Sequence, residues 1–90
     1  MYTLSAKLTF RIPHAASLKY KRQIYRSLID KARHRFNVAI AEVDTQDVHT
    51  ILTLGVAVVS GSHSHAQQML DEIIHYLEEH TDAELVEIEV

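Results

Sequence analysis

The chain contains the stretch Tyr2-Thr-Leu-Ser-Ala-Lys-Leu-Thr-Phe-Arg-Ile12, and this stretch decides the fold because apolar and polar residues alternate along it without exception. One face carries Tyr2, Leu4, Ala6, Leu8, Phe10 and Ile12, and the other carries Thr3, Ser5, Lys7, Thr9 and Arg11. A period of two residues is typical of a β-strand with one buried face. The stretch therefore predicts a strand with one face on a core and a polar outer face, and Pro13 ends it.

The rest of the chain shows helical and strand patterns in turn. Ser17 suits an N-cap, and the pair Ser64 and Gln67 matches a capping box. Apolar residues recur at helical spacing after each of these positions, and β-branched runs fill the segments between and after them. The predicted elements are a helix over residues 17–36, strands over residues 38–44 and 51–60, a helix over residues 64–80 and a last strand over residues 86–90.

The element order strand, helix, strand, strand, helix, strand is that of the split βαβ arrangement. Right-handed crossovers then predict an α+β, ferredoxin-like fold (βαββαβ). Its four-stranded antiparallel sheet has the strand order 4-1-3-2, with two helices on one face. Ninety residues suffice for one core, so residues 1–90 are predicted to form one ferredoxin-like domain.

The third strand, residues 51–60, is apolar on both faces. A sheet covered by helices on one side only would expose part of that surface. We therefore expect a loop or another subunit to cover part of the second face, and we predict a homodimer.

Charge is strongly segregated along the chain. All nine Lys and Arg residues lie between Lys7 and Arg35, and eleven of the twelve acids lie at or beyond Glu42. A basic block of this kind favours an anionic partner, most commonly a nucleic acid. The alternative is that the basic half lies against the acidic half within the chain.

The first helix is the strongest candidate site. Lys19, Arg22, Arg26 and Arg33 fall within about 60° of one another on a helical wheel, and the helix contains one acid, Asp30. Four cations in a row suit a phosphate backbone, since Arg binds phosphate through its planar fork. The predicted nucleic-acid-binding residues are Lys19, Lys21, Arg22, Arg26 and Arg33.

Other chemistry has weaker support in the sequence. Asp44, Asp47 and His49 in the loop between the second and third strands are an alternative cation or acid–base cluster, as in a small metal-dependent enzyme. Seven histidines are present, but the His75 helix face is explained as well by an acidic, solvated surface. Cysteine and the common catalytic motifs are absent, so we predict no catalytic residue, no metal ligand and no cofactor.

Several segments resemble a known small bacterial family, the YlxP-like domain of unknown function. They include Arg35-Phe-Asn-Val38, Ala41-Glu-Val-Asp44 and the run Leu54-Gly-Val-Ala-Val-Val-Ser60. The resemblance covers nearly the whole chain and implies a ferredoxin-like fold. It also implies genes near those for translation and ribosome maturation, but no established activity.

Together these patterns predict a cytoplasmic, non-enzymatic protein that binds RNA or the ribosome through its basic first helix. The absence of long apolar segments predicts no membrane span. One alternative is a homo-oligomeric interaction protein in which the basic face of one subunit meets the acidic face of another. The other alternative is the metal-dependent enzyme built on Asp44, Asp47 and His49.

Overall fold

The computed structural model describes residues 1–13 and 16–90 of the protein. Its elements are β1 (Tyr2–Arg11), α1 (Leu18–Arg35), β2 (Ala39–Glu42), β3 (Ile51–Ser60), α2 (His63–Glu79) and β4 (Glu84–Glu89). Hydrogen bonds join the strands in the order β2-β3-β1-β4, and every neighbouring pair is antiparallel. This is the predicted order read from the opposite edge, so the ferredoxin-like α+β fold is confirmed.

The alternation in β1 sets the core. Ala6, Leu8 and Phe10 point to the buried face, and β3 adds Leu52, Leu54, Val56 and Val58 to the same side. Both helices cover this face: α2 packs on β1 and β3, and α1 packs on β2 and α2. Each helix buries one apolar stripe, because its apolar residues recur every three or four positions. The buried stripes include Leu28, Ile29 and Ala32 of α1 and Ala66, Leu70, Ile73 and Leu77 of α2.

The two helices begin at serine caps. Ser17 Oγ accepts a hydrogen bond from the Tyr20 backbone N–H over 3.1 Å, as predicted. The second helix begins two residues before the predicted position, since Ser62 and not Ser64 is the N-cap. Ser60 Oγ accepts from the Ser62 backbone N–H and holds the preceding turn, while the Ala66 N–H already bonds to the Ser62 carbonyl. Ser64 therefore lies within the first turn.

The last strand is bulged. Thr9 pairs with Glu87, but the next residue, Phe10, pairs with Leu85, so Val86 has no partner in β1. A bulge of this kind shifts the residues beyond it by one position. Leu85, opposite Phe10, is therefore partly buried against the core, and Val86 is left exposed.

A loop covers part of the outer face of the sheet. Thr45 and Thr53 share a hydroxyl hydrogen bond of 2.7 Å, and the Val43 backbone N–H donates to the Thr53 carbonyl. Thr53 is only 3% exposed although it lies on the outer face. Covering by a loop, one of the two expectations for this strand, is therefore observed here, while Val59 at the far end of β3 stays 50% exposed.

Candidate nucleic-acid interface

Six cations project from α1 on two flanks of the helix. One flank faces β2, as the hydrogen bond from Arg33 Nη2 to the Ile40 carbonyl shows (3.1 Å). The other faces α2, where the Arg35 guanidinium lies 5.9 Å from the centre of the Tyr76 ring. The exposed cations on the flank that faces β2 are Lys19, Arg22, Arg26 and Arg33. Those on the flank that faces α2 are Lys31 and Arg35.

None of these six cations pairs with a carboxylate among residues 1–13 and 16–90. The Lys and Arg residues that do form ion pairs there are Lys7, Arg11 and Lys21. Three acids of α2, Asp71, Glu72 and Glu79, contact Gln67, Gln68 and His75 of the same helix instead. Within the described chain, acids of the acidic half thus pair with Lys7, Arg11 and Lys21 but leave the six exposed cations of α1 unpaired.

Lys21 is the exception among the predicted RNA-binding residues, and its inclusion was wrong. Its side chain is 1% exposed and lies inside the α1 apolar stripe. The ammonium is 2.8 Å from Glu42 Oε2 and donates hydrogen bonds to the carbonyls of Thr45 (2.6 Å) and Val48 (2.8 Å). A buried ammonium held by one carboxylate and two backbone carbonyls cannot reach a phosphate, so Lys21 ties α1 to the β2–β3 loop instead.

Helical spacing carried the signal for this burial. Lys21 precedes Leu28 by seven residues and Ala32 by eleven, which places all three on one face of the helix. Its partner Glu42 follows the buried Ile40 by two residues in β2, on the same face of the sheet. A Lys and a Glu, each at a core position of neighbouring elements, point to a buried pair.

Arg33 has a second role at the sheet edge. β2 is an edge strand, and the carbonyl of Ile40 faces away from β3 toward the Arg33 guanidinium. Edge strands with free backbone groups pair readily with other chains, and a cation beside the edge discourages such pairing. Arg33 remains exposed while making this bond, so its remaining N–H groups stay available to an anion.

The outer face of the sheet offers no comparable cationic surface. Lys7 pairs with Asp44 (2.7 Å) and Glu89 (3.3 Å), and Arg11 pairs with Glu84. The hydrogen bond to Asp44 is the main reason that the pKa of Lys7 lies above its usual value of 10.5, with Glu89 adding to it. The hydrogen bond to Glu84 likewise raises the pKa of Arg11. Phosphates would have to displace these carboxylates, which favours α1 as the anion-binding surface.

The loop cluster of Asp44, Asp47 and His49 gains no geometric support. Asp44, whose backbone φ is 51°, directs its carboxylate to Lys7. Across residues 1–13 and 16–90, no group of three or more His, Cys, Asp or Glu side chains is placed to hold a metal ion.

Sequence reasoning missed an aromatic row at the junction of the helices. The rings of Phe36 and Tyr76 meet edge to face at 5.4 Å, and the Tyr76 and His80 rings stack at 3.9 Å. Tyr76 and His80 are four residues apart on α2, a spacing that brings side chains together on a helix, and this was the available signal. The row lies beside Arg35, so aromatic and cationic groups adjoin at this place.

Neither α1 nor α2, the helices of the described residues, is long and apolar enough to cross a membrane.

Comparison with known proteins identifies the family of the chain. The chain is similar to the uncharacterized protein YlxP of Bacillus subtilis (strain 168), with 29% identity over 70 residues, which is 78% of this chain and 76% of that protein. The model of a family described as protein of unknown function (DUF503) matches residues 3–90, from β1 to beyond the end of β4. The chain therefore belongs to the DUF503 family, in agreement with its resemblance to YlxP-like domains.

Proposed function

We propose that this protein binds RNA, free or in the ribosome, through the exposed cations of α1. The observation that carries the proposal is that six cations of one helix are exposed and have no carboxylate partner in the described chain, although the chain has a net charge of −3. An unneutralised cationic surface on an acidic protein attracts polyanions locally. We also propose a cytoplasmic location, because ribosomes and most RNA lie there.

The contact set is the α1 flank that faces β2. Lys19, Arg22, Arg26 and Arg33 lie along it within about 60°, and a helix of eighteen residues spans roughly 27 Å. Phosphate contacts fix the position of a protein on the polymer and carry no base information. We therefore propose that this flank binds RNA with little sequence preference.

A matched pair of double variants tests this proposal. Arg22→Gln/Arg26→Gln and Lys7→Gln/Arg11→Gln change the net charge equally, but the second pair removes cations already held by Asp44, Glu89 and Glu84. Two lost phosphate contacts should weaken binding to single-stranded RNA about 25-fold at 0.1 M salt, since each contact contributes about −0.7 to the salt slope. The measurement is fluorescence anisotropy of a labelled RNA.

If the two double variants weaken RNA binding equally, net charge alone explains the affinity and a site on α1 is refuted. If the Arg22→Gln/Arg26→Gln variant leaves RNA binding unchanged but dissociates an oligomer in sedimentation, the alternative function is correct. In that alternative, the basic α1 of one subunit meets the acidic α2 of another, where Asp71, Glu72 and Glu78 are exposed.

A homodimer that hides part of the sheet is a separate proposal. Val59 lies at one end of the outer face, opposite Thr3 of β1, and is half exposed (50%). The loop that covers Thr53 lies toward the other end, next to Asp44 and Lys7. Sedimentation of Val59→Glu should show a monomer where the unmodified protein is a dimer. A protein that sediments as a monomer at high micromolar concentration contradicts the proposal.

A further inference from the structure

A hollow of about 340 Å³ lies between the end of β1, the first half of α1 and the residues after α2. Its floor is apolar and consists of Ile12, Ile24 and Ala83, while Tyr20 and His80 stand at its rim. Polar groups are contributed by Ser27, Thr81 and Asp82. The volume is at the lower end of the range for small-molecule sites, so a single planar ring system fits better than an extended ligand.

The charges around this hollow exclude a phosphate from it. Among the described residues that line it, Asp82 is the only one with a full formal charge at neutral pH, and that charge is negative. An anion would be repelled there. A neutral ligand with donor groups and an apolar face matches the lining, since Asp82 accepts hydrogen bonds and the floor and rim supply apolar and aromatic contacts.

A second, shallower hollow adjoins the first, and two cations, Lys31 and Arg35, outnumber its one acid, Asp30. The two share Ser27, and the second is also lined by Lys31, Arg35 and Tyr76. His80 of the first hollow stacks on Tyr76 of the second, so the aromatic row runs from one to the other. A ring-binding hollow next to a cationic one matches the two halves of a nucleotide, its base and its phosphate.

We infer that the first hollow takes one unpaired nucleobase with an exocyclic amino group, and that the adjoining phosphate lies on Lys31 and Arg35. The inference rests on the proposed RNA binding. It makes that binding specific for unpaired RNA, because a base must leave a duplex to enter the first hollow. Asp82 accepts from the amino group, as carboxylates do from cytosine N4. Uracil has no such donor, so the site discriminates against it. Tyr20, 44% exposed, offers its ring for stacking.

The experiment measures anisotropy of labelled twelve-residue oligo(C) and oligo(U) RNA, and of a twelve-base-pair duplex, at one salt concentration. Tyr20→Ala should weaken binding of oligo(C) roughly 5- to 150-fold, the effect of losing one stacked base, and leave the duplex unchanged. Tyr2→Ala is the matched control, because Tyr2 is similarly exposed (47%) but does not line the hollow. It should leave binding of all three RNAs unchanged.

Asp82 gives a test in which charge and recognition act in opposite directions. Asp82→Ala removes a negative charge, which alone would strengthen binding of any RNA. We expect it to weaken oligo(C) binding and to abolish the preference for oligo(C) over oligo(U). Glu78→Ala, on the exposed surface of α2, is the control and should strengthen binding of both slightly.

The outcomes separate this inference from the proposed function. If Tyr20→Ala and Asp82→Ala bind like the unmodified protein while Arg22→Gln/Arg26→Gln loses RNA, the base site is refuted and RNA binding stands. A protein that binds none of the three RNAs refutes both. Equal affinity of the unmodified protein for oligo(C) and oligo(U) refutes the recognition by Asp82.

Discussion

Replacement of Lys21 by methionine tests how the β2–β3 loop is held to the helix layer. The side chain of Lys21 is buried among apolar residues of α1, so methionine keeps the length and apolar character of its stem. What the substitution removes is the charge beside Glu42 and the two hydrogen bonds to the Thr45 and Val48 carbonyls. Glu42 Oε2 is buried and accepts no hydrogen bond from the described residues, so Lys21 is its only compensation there.

The loss in unfolding free energy depends on Glu42, whose buried carboxylate keeps its charge but loses its partner. Removing one member of a buried ion pair typically costs about 3–5 kcal/mol, because an uncompensated charge stays behind. The Glu42 side chain retains 11% exposure, which favours the lower end, and we expect a loss of about 3 kcal/mol. For a domain of this size, that loss lowers Tm by about 12–24 °C.

Urea denaturation followed by circular dichroism measures the effect. Lys19→Met is the control, since Lys19 is exposed two residues earlier, and it should change the free energy of unfolding by less than about 0.5 kcal/mol. Adding Glu42→Leu to Lys21→Met removes the orphaned carboxylate, so the double variant should be more stable than Lys21→Met alone. If Lys21→Met unfolds within 0.5 kcal/mol of the unmodified protein, the reasoning about this pair is wrong.

Two further predictions concern stability. Ser62→Ala should cost about 1 kcal/mol of unfolding free energy and Ser64→Ala less than half of that, because Ser62 alone caps α2; equal losses would contradict this cap. The second concerns alkaline pH. The hydrogen bonds to Asp44 and Glu89 raise the folded-state pKa of Lys7 above 10.5, so their contribution to stability is complete below pH 10.5 and is lost as pH rises through the folded-state pKa. Urea midpoints measured from pH 9 to 11.5 should therefore fall less for Lys7→Met than for the unmodified protein, and parallel curves would exclude this linkage.

The strand order was predictable because the determining patterns are local. Strict alternation from Tyr2 to Ile12 fixed one buried face, and the serine at position 17 fixed the start of α1. The remaining choice among topologies was small, since crossover connections are right-handed. These features depend on residues close together in the sequence, where a period of two or 3.6 is visible.

Other features depended on contacts between distant segments. The bulge at Val86 sets Glu84 opposite Arg11, and the sequence of the last strand gives no local signal for it. Lys21 is buried against Glu42, a partner twenty-one residues away in the sequence. Because Lys21 is charged, the sequence predicted a position on the surface. Among the candidate site residues, position on the helical wheel identified the exposed ones, whereas the hollow beside Tyr20 arises from three separate segments.

The salt dependence of RNA binding tests the central claim most directly. Four phosphate contacts, from Lys19, Arg22, Arg26 and Arg33, predict a log–log slope of about −3 for single-stranded RNA. Arg26→Gln should flatten that slope by about 0.7 and weaken all sequences alike, and its exposed position should leave the fold intact. A slope near zero, or a slope that Arg26→Gln leaves unchanged, would show that α1 is not the surface that binds RNA.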